Sequence, residues 1–284
     1  MDRHMIIITA DERQEKLASL LYGEKRRCSW EMYQSDKDSC KKVYVLPIPV
    51  SKLNKDTALK EKLKQELINN KASDVCVFGG VFDEEWSRFL MKNQITFFDF
   101  MKLPEVVEGN AYITAEATLA EVLRYGAYSI AGQRILVTGY GCCGSQIAKV
   151  FAAIGADVTV AARREEVRRQ ILLDGYKACD FAEMKAVIGQ MQTVINTVPA
   201  LVITEELIRQ MSTSSLIIDI ASKPGGTDFE AASRHGITAK LSLGLPGIYT
   251  TTSSAKLLKD AIYKYASLQD DVREEQLWIF QIII

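Results

Sequence analysis

Arg134-Ile-Leu-Val-Thr138-Gly139-Tyr140-Gly141-Cys142-Cys143-Gly144-Ser-Gln-Ile-Ala-Lys-Val-Phe-Ala-Ala-Ile-Gly-Ala-Asp157-Val-Thr-Val-Ala161 runs from an apolar strand through a glycine-rich turn and a helix into a second apolar strand. The spacing Gly-x-Gly-x-x-Gly between strand and helix makes a specific physical demand. Gly139 allows the tight turn, Gly141 lets the backbone approach a pyrophosphate, and Gly144 lets the helix pack on the strand. The free N–H groups and positive dipole end of such a helix favour a phosphate. Tyr140, Cys142 and Cys143 fill the variable positions and complete the expected cofactor turn, the two thiols serving as small loop-facing side chains.

A site for NAD places an acid on the ribose hydroxyls at the end of the second strand. Here that place holds Ala161-Ala162-Arg163-Arg164. Arginines can pair with a 2′-phosphate, and the missing carboxylate removes the repulsion that excludes it, so NADP is the expected cofactor. The alternative is a solvated helix face carrying pairs such as Glu165 with Arg169.

Outward from this segment, strand candidates at 134–138, 157–162, 176–179, 193–198, 215–220 and 237–243 alternate with helical patterns, the doubly wound plan of a Rossmann domain. Ligands in such sheets gather at strand carboxyl ends, which singles out Asn196, Thr197, Val198, Pro199, Asp219 and Ala221, with Pro246 in the last loop. Upstream, strand candidates at 5–10, 42–48, 74–80 and 95–100 with helices at 57–68 and 84–91 predict a separate, flavodoxin-like parallel α/β domain. The expected division is 1–110 for this substrate domain and 111–130 for an interdomain helix with Thr114 as its N-cap. Residues 131–250 form the dinucleotide domain, and 251–284 a returning helix with an apolar tail. Pro104 and Gly109 are read as punctuation closing the first domain.

Composition narrows the function. With 35 basic against 36 acidic residues among 284, the chain lacks the basic surface that nucleic-acid binding needs. The opening apolar run, Met5-Ile6-Ile7-Ile8, is too short for a signal peptide, which predicts a cytoplasmic chain. The final run from Leu277 to Ile284 falls short of the ~20 residues that span a bilayer, and predicts a packed or subunit-contacting tail in a homo-oligomer. Cysteines 28, 40, 76, 142, 143 and 179 show neither metal-ligand spacing nor a disulfide framework. The two histidines, His4 before the first strand and His235 at an expected helix C-terminus, are poorly placed for acid–base chemistry.

Ile195-Asn196-Thr197-Val198-Pro199, Asp219-Ile-Ala-Ser222-Lys223-Pro224-Gly225-Gly226-Thr227-Asp228-Phe229 and Gly244-Leu245-Pro246-Gly247 together resemble the family of dipicolinate synthase A subunits. Asp11-x-Arg13-Gln14 and Thr114-Ala115-Glu116 add to the likeness, while Lys223 replaces an arginine and Thr9-Ala10 replaces glycines. The resemblance implies NADP-dependent oxidation of dihydrodipicolinate to dipicolinate, the dicarboxylate stored in endospores, jointly with a flavoprotein-like B subunit. It further implies Lys223 as a carboxylate clamp, with Glu116 and Asp228 as candidate catalytic carboxylates and Arg13 facing the substrate. A surface lysine and a helix-capping Asp228 are the plain alternatives. Dehydrogenases of the D-2-hydroxyacid or shikimate type, and a cofactor-binding scaffold without chemistry of its own, remain the competing functions.

Overall fold

The computed structural model describes residues 4–22, 42–70 and 75–271; Cys28, Cys40, Asp74 and the 277–284 tail lie outside these. The chain forms two compact units, Met1–Asn110 with Thr250–Ile284, and Ala111–Tyr249.

The first unit holds β1 (His4–Ile7), β2 (Lys42–Val45), β3 (Val75–Gly79) and β4 (Thr96–Asp99), parallel and in sequential order. Successive side chains of a strand point to opposite faces, so a sheet covered on both sides needs apolar residues throughout. Met5, Ile7, Val43, Val45, Cys76 and Phe78 pack on one face against Leu17 of α1 (Glu12–Tyr22) and Leu258 and Ile262 of α11 (Thr251–Asp271). Ile6, Ile8, Tyr44, Leu46, Val75 and Val77 pack on the other against Leu63 and Leu67 of α2 (Thr57–Asn69) and Trp86 and Leu90 of α3 (Glu84–Lys92). Helix starts are fixed by side chains. Asp11 accepts from Gln14 N at 3.0 Å while Gln14 Oε1 accepts from Ala10 N at 2.9 Å, and Asp56 and Asp83 cap α2 and α3. Val81 holds φ +54°, an uncommon conformation for a β-branched residue, and its N–H donates to Asp99 Oδ1 at 3.1 Å.

Helix α4 (Pro104–Tyr125) corrects the sequence reading of its start. Proline is favoured at a first helical position, where its missing N–H costs nothing, so the helix begins there and Thr114 lies in its interior. Gly109 also lies within the helix: a Cβ there would stand 2.8 Å from Leu257 Cδ1, so the glycine admits α11 at close range.

In the second unit, β5 (Arg134–Thr138), β6 (Asp157–Ala161), β7 (Lys177–Cys179), β8 (Thr193–Asn196), β9 (Leu216–Asp219) and β10 (Thr238–Leu241) form a parallel sheet in the order β10-β9-β8-β5-β6-β7. The expected doubly wound plan is therefore present, with the order reversing between β5 and β8. Its connecting helices are α5 (Cys142–Ala153), α6 (Glu165–Leu173), α7 (Met184–Val187), α8 (Glu205–Ile208) and α9 (Phe229–Arg234), and α10 (Leu245–Tyr249) follows β10. Several strands end earlier than the apolar runs suggest, because Thr197, Val198 and Ile220 already belong to the loops at the carboxyl edge. Among the described residues, no helix is long and apolar enough to cross a membrane.

Phe78 is fully buried, stacked on Phe98 and tilted against Phe100, with ring centroids 5.1 and 5.6 Å away. Phe78→Ala should therefore cost about 3–5 kcal/mol in a denaturant titration, the usual range for emptying a buried aromatic site.

Candidate cofactor site

The fingerprint turn has the shape its glycines demand. Gly139 has φ +87°, and a Cβ on Gly144 would stand 2.2 Å from Gly139 O, so helix and turn touch backbone to backbone. A Cβ on Gly141 would meet nothing within 4 Å. Open space lies beside this backbone, at the N-cap of the twelve-residue α5, which fits a pyrophosphate. Cys142 is exposed, and burial pushes the half-buried Cys143 thiol above its ordinary range, so Cys143 stays protonated at neutral pH. Tyr140 leaves the turn sideways: its hydroxyl donates to Asp174 Oδ2 at 2.6 Å and its ring meets Tyr176 edge-on. Burial, and then that hydrogen bond, raise its pKa.

At the end of β6 the side chains of Arg163 and Arg164 are exposed. Arg164 Nε lies 3.7 Å from Glu166, and Arg163 has no side-chain partner among the described residues. Arg168 folds back, donating to the carbonyls of Ala162 and Arg163 at 3.0 and 2.7 Å, and so fixes the backbone that presents both arginines. The Glu165–Arg169 pair also forms, at 2.5 Å. The alternative of a solvated helix face thus fits Arg164, Glu165, Glu166 and Arg169, while Arg168 is spent on the backbone and Arg163 has no side-chain partner among the described residues.

The ends of β8 and β9 are joined by a buried polar cluster. Asn196 and Asp219 have no exposed surface. Asn196 Oδ1 accepts from Thr138 Oγ1 at 2.5 Å and Val198 N at 3.1 Å, while its Nδ2 donates to Asp219 Oδ1 at 2.9 Å and Val198 O at 3.0 Å. Asp219 also accepts from Ala221 N at 3.0 Å and, through Oδ2, from Gly226 N at 2.9 Å. Gly226 is wedged in: an added Cβ would stand 2.4 Å from Asn196 Nδ2 and 2.5 Å from Val198 O. Thr197 Oγ1 donates to Thr138 O at 2.7 Å, and a Cβ on Gly139 would meet that hydroxyl at 2.6 Å, so this cluster touches the fingerprint.

Sequence-expected residues thereby sort by position. Thr197 and Val198 are brought against the fingerprint turn, Asn196 joins the end of β5 there to Asp219, and Pro199 lies exposed beyond. Ala221 and Pro246 are buried. Lys223 is exposed on the loop that Asp219 holds, Glu116 is exposed on α4, and Asp228 Oδ1 caps α9 through Ala231 N at 2.8 Å. No hydrogen bond or ion pair among the described residues joins Lys223, Glu116 and Asp228. Thr138, Asp174 and Arg168 carry no local motif, and their part in the site follows only from partners made by the fold.

Asp219→Asn should leave one of three N–H donors facing an amide N–H instead of an oxygen, a loss of about 1–3 kcal/mol for each donor left unmet. Hydrogen exchange should read it as faster exchange at the Ala221 and Gly226 amides.

Comparison with known proteins agrees with this geometry. The chain is 29% identical over 202 residues to the dipicolinate synthase A subunit of Bacillus subtilis (strain 168), covering 71% of this chain and 68% of the relative. The crystal structure of the dipicolinate synthase A subunit from Bacillus halodurans superposes with a TM-score of 0.75 at 27% identity, covering 93% of this chain and 97% of that one. The corresponding dipicolinate synthase structure from Bacillus subtilis shares the fold with a TM-score of 0.78 at 23% identity, covering 96% and 98%. The family model described as alanine dehydrogenase/PNT, C-terminal domain matches residues 106–279, more than half of the chain. A glycine fingerprint at the switch point of a doubly wound sheet, on a chain matched across that whole unit, is the dinucleotide-binding part of a dehydrogenase, and the chain belongs to the alanine dehydrogenase/PNT C-terminal domain family.

Proposed function

We propose that this chain oxidises dihydrodipicolinate to dipicolinate with NADP, as one subunit of a two-subunit synthase. The observation that carries the substrate is the likeness to the dipicolinate synthase A subunit across 93% of the chain at 27% identity. The cofactor choice rests on the exposed Arg163 and Arg164 standing where an NAD site needs an acid. A cytoplasmic location, assembly with further subunits and a role in spore formation belong to the same reading.

The reaction removes a hydride from a ring carbon and a proton from the ring, and aromatisation drives both. The bound nicotinamide supplies the hydride acceptor. The chain's own task is to hold a flat dicarboxylate and receive the proton. Lys223 offers an exposed cation on a loop whose foot is fixed by Asp219. In the first unit, taken by itself, Arg13 in the first turn of α1 is a candidate of its own. It is 9% exposed, its buried Nε has no partner among the described residues, and burial pulls its pKa down, which the nearby Asp11 partly offsets. A guanidinium held this way gains more than an exposed one from a carboxylate. Glu116 and Asp228 are the proposed proton acceptors; Oδ1 of Asp228 is engaged at its helix cap. In this reading a second, partner protein completes the reaction, as the subunit naming of the relatives suggests.

Two measurements test it. Arg163→Ala combined with Arg164→Ala should weaken NADP binding by about 1.5–3 kcal/mol per charge-assisted hydrogen bond lost, leaving NAD binding nearly unchanged; wild-type calorimetry showing a preference for NAD would refute the cofactor choice. In the assembled enzyme, Lys223→Met and Arg13→Met should each lower dipicolinate formation while NADP affinity holds. The isolated chain should bind NADP and turn over poorly until its partner is added, and full activity without a partner would contradict the two-subunit reading.

A further inference from the structure

Glu121, near the end of α4, is a carboxylate only 7% exposed, and it makes no ion pair among the described residues. Such a group is costly to bury unless its oxygens are met by donors. Both are met by hydroxyls. Oε2 accepts from Ser242 Oγ at 2.5 Å, and Oε1 accepts from the Tyr249 hydroxyl. These donors bracket Gly244-Leu245-Pro246-Gly247: Ser242 directly follows β10, and Tyr249 ends α10. Within the bracket the chain turns sharply, with φ +68° at Gly244 and a Gly247 N to Gly244 O bond of 2.9 Å. One carboxylate therefore staples both ends of the turn. The base of the turn is also tied to the cofactor cluster, since Ser242 N donates to Asp219 O at 2.7 Å.

The position of this turn gives the staple a purpose. A dinucleotide lies across the switch point of a doubly wound sheet with one half over each set of strands. Its pyrophosphate belongs over α5, and the Arg163–Arg164 pair marks the β6 side as the adenosine half. The other half, the nicotinamide, then extends over β8, β9 and β10, where the 242–249 segment leaves the sheet. The hydrogen bond to Glu121, reinforced by burial, raises the Tyr249 pKa and keeps its hydroxyl a donor at any physiological pH. Arg124, one turn along α4, adds an attraction to Glu121.

We infer that Glu121 is a positioning residue for the nicotinamide half of the cofactor, acting through Ser242 and Tyr249 on the Gly244–Gly247 turn. The role rests on the dinucleotide reading of the fingerprint and deepens it. It makes a selective prediction, because a ligand that carries only the adenosine half never reaches this turn.

The test compares NADPH with adenosine 2′,5′-bisphosphate, which has the 2′-phosphate but no nicotinamide, on the full chain carrying Glu121→Gln or the milder Tyr249→Phe. Loss of one such hydrogen bond should raise the NADPH dissociation constant about fivefold or more and alter the emission of the bound dihydronicotinamide, with adenosine 2′,5′-bisphosphate affinity unchanged. Unchanged NADPH affinity in folded variants would overturn the role. Equal loss for both ligands would also overturn it, since that pattern reports general damage to the unit. A wild-type chain that binds neither ligand would remove the dinucleotide reading itself, and this role with it.

Discussion

The carboxylate of Asp219 has no exposed surface and, among the described residues, no cation paired with it, so its charge is met by N–H donors brought to it by the chain. That requirement organises the carboxyl edge of the second unit. Asn196 has to turn its amide toward β9, which leaves its oxygen for Thr138 and Val198 and ties three adjacent strands together. The chain after β9 has to fold back at Gly226, and only a residue without a side chain fits the gap among Asn196, Val198 and Ala200. Thr197 then bonds the end of β5 beside the fingerprint, so the phosphate turn and the loop carrying Lys223 stand on one rigid base.

The charges of the site follow a division of labour. Formal net charge is −1, so no general field draws anions to the protein. Under the proposed cofactor reading, attraction for an anionic cofactor has to be local: backbone N–H groups at the start of α5, and the arginines after β6, whose supporting backbone is braced by Arg168. The first unit follows a different logic. Lys52 pairs with Asp11 at 2.8 Å, while the Nε of the neighbouring Arg13 has no hydrogen-bond partner among the described residues. Burial alone would raise the Asp11 pKa, but the bonds from Lys52 and Gln14 outweigh it and hold the carboxylate below its ordinary value. Asp11 therefore remains a charged cap of α1 well into the acidic range.

Much of this is legible in the amino-acid sequence, and the boundary has a physical cause. The fingerprint can be read because each glycine answers a local backbone demand, and Asp228 can be read as a cap because capping spans three residues. The beginning of α4 escapes a local reading, since Thr114 looks like a cap, whereas Pro104 and Gly109 look like punctuation. Gly109 is small to admit Leu257, far along the chain, and that reason is invisible locally. Glu121 escapes it for the same cause. On α4 it is one more acid on a helix, and its meaning comes from hydroxyls at 242 and 249 that only the fold delivers. The motif places Tyr140 in the cofactor turn, yet its hydroxyl is committed to Asp174.

The loop from Ser222 to Thr227 joins two kinds of position within a few residues. Its foot is crowded, since Gly226 sits among three polar atoms less than 3 Å from where a side chain would begin. Its tip is open, and Lys223 is exposed, with no side-chain bond among the described residues. Evolution therefore meets a stiff handle with an interchangeable head. Lysine, arginine or a neutral residue can be exchanged at the tip without rebuilding the support beneath it. If the tip meets a ligand as proposed, its preference can thus drift by single substitutions, on a loop whose shape stays inherited.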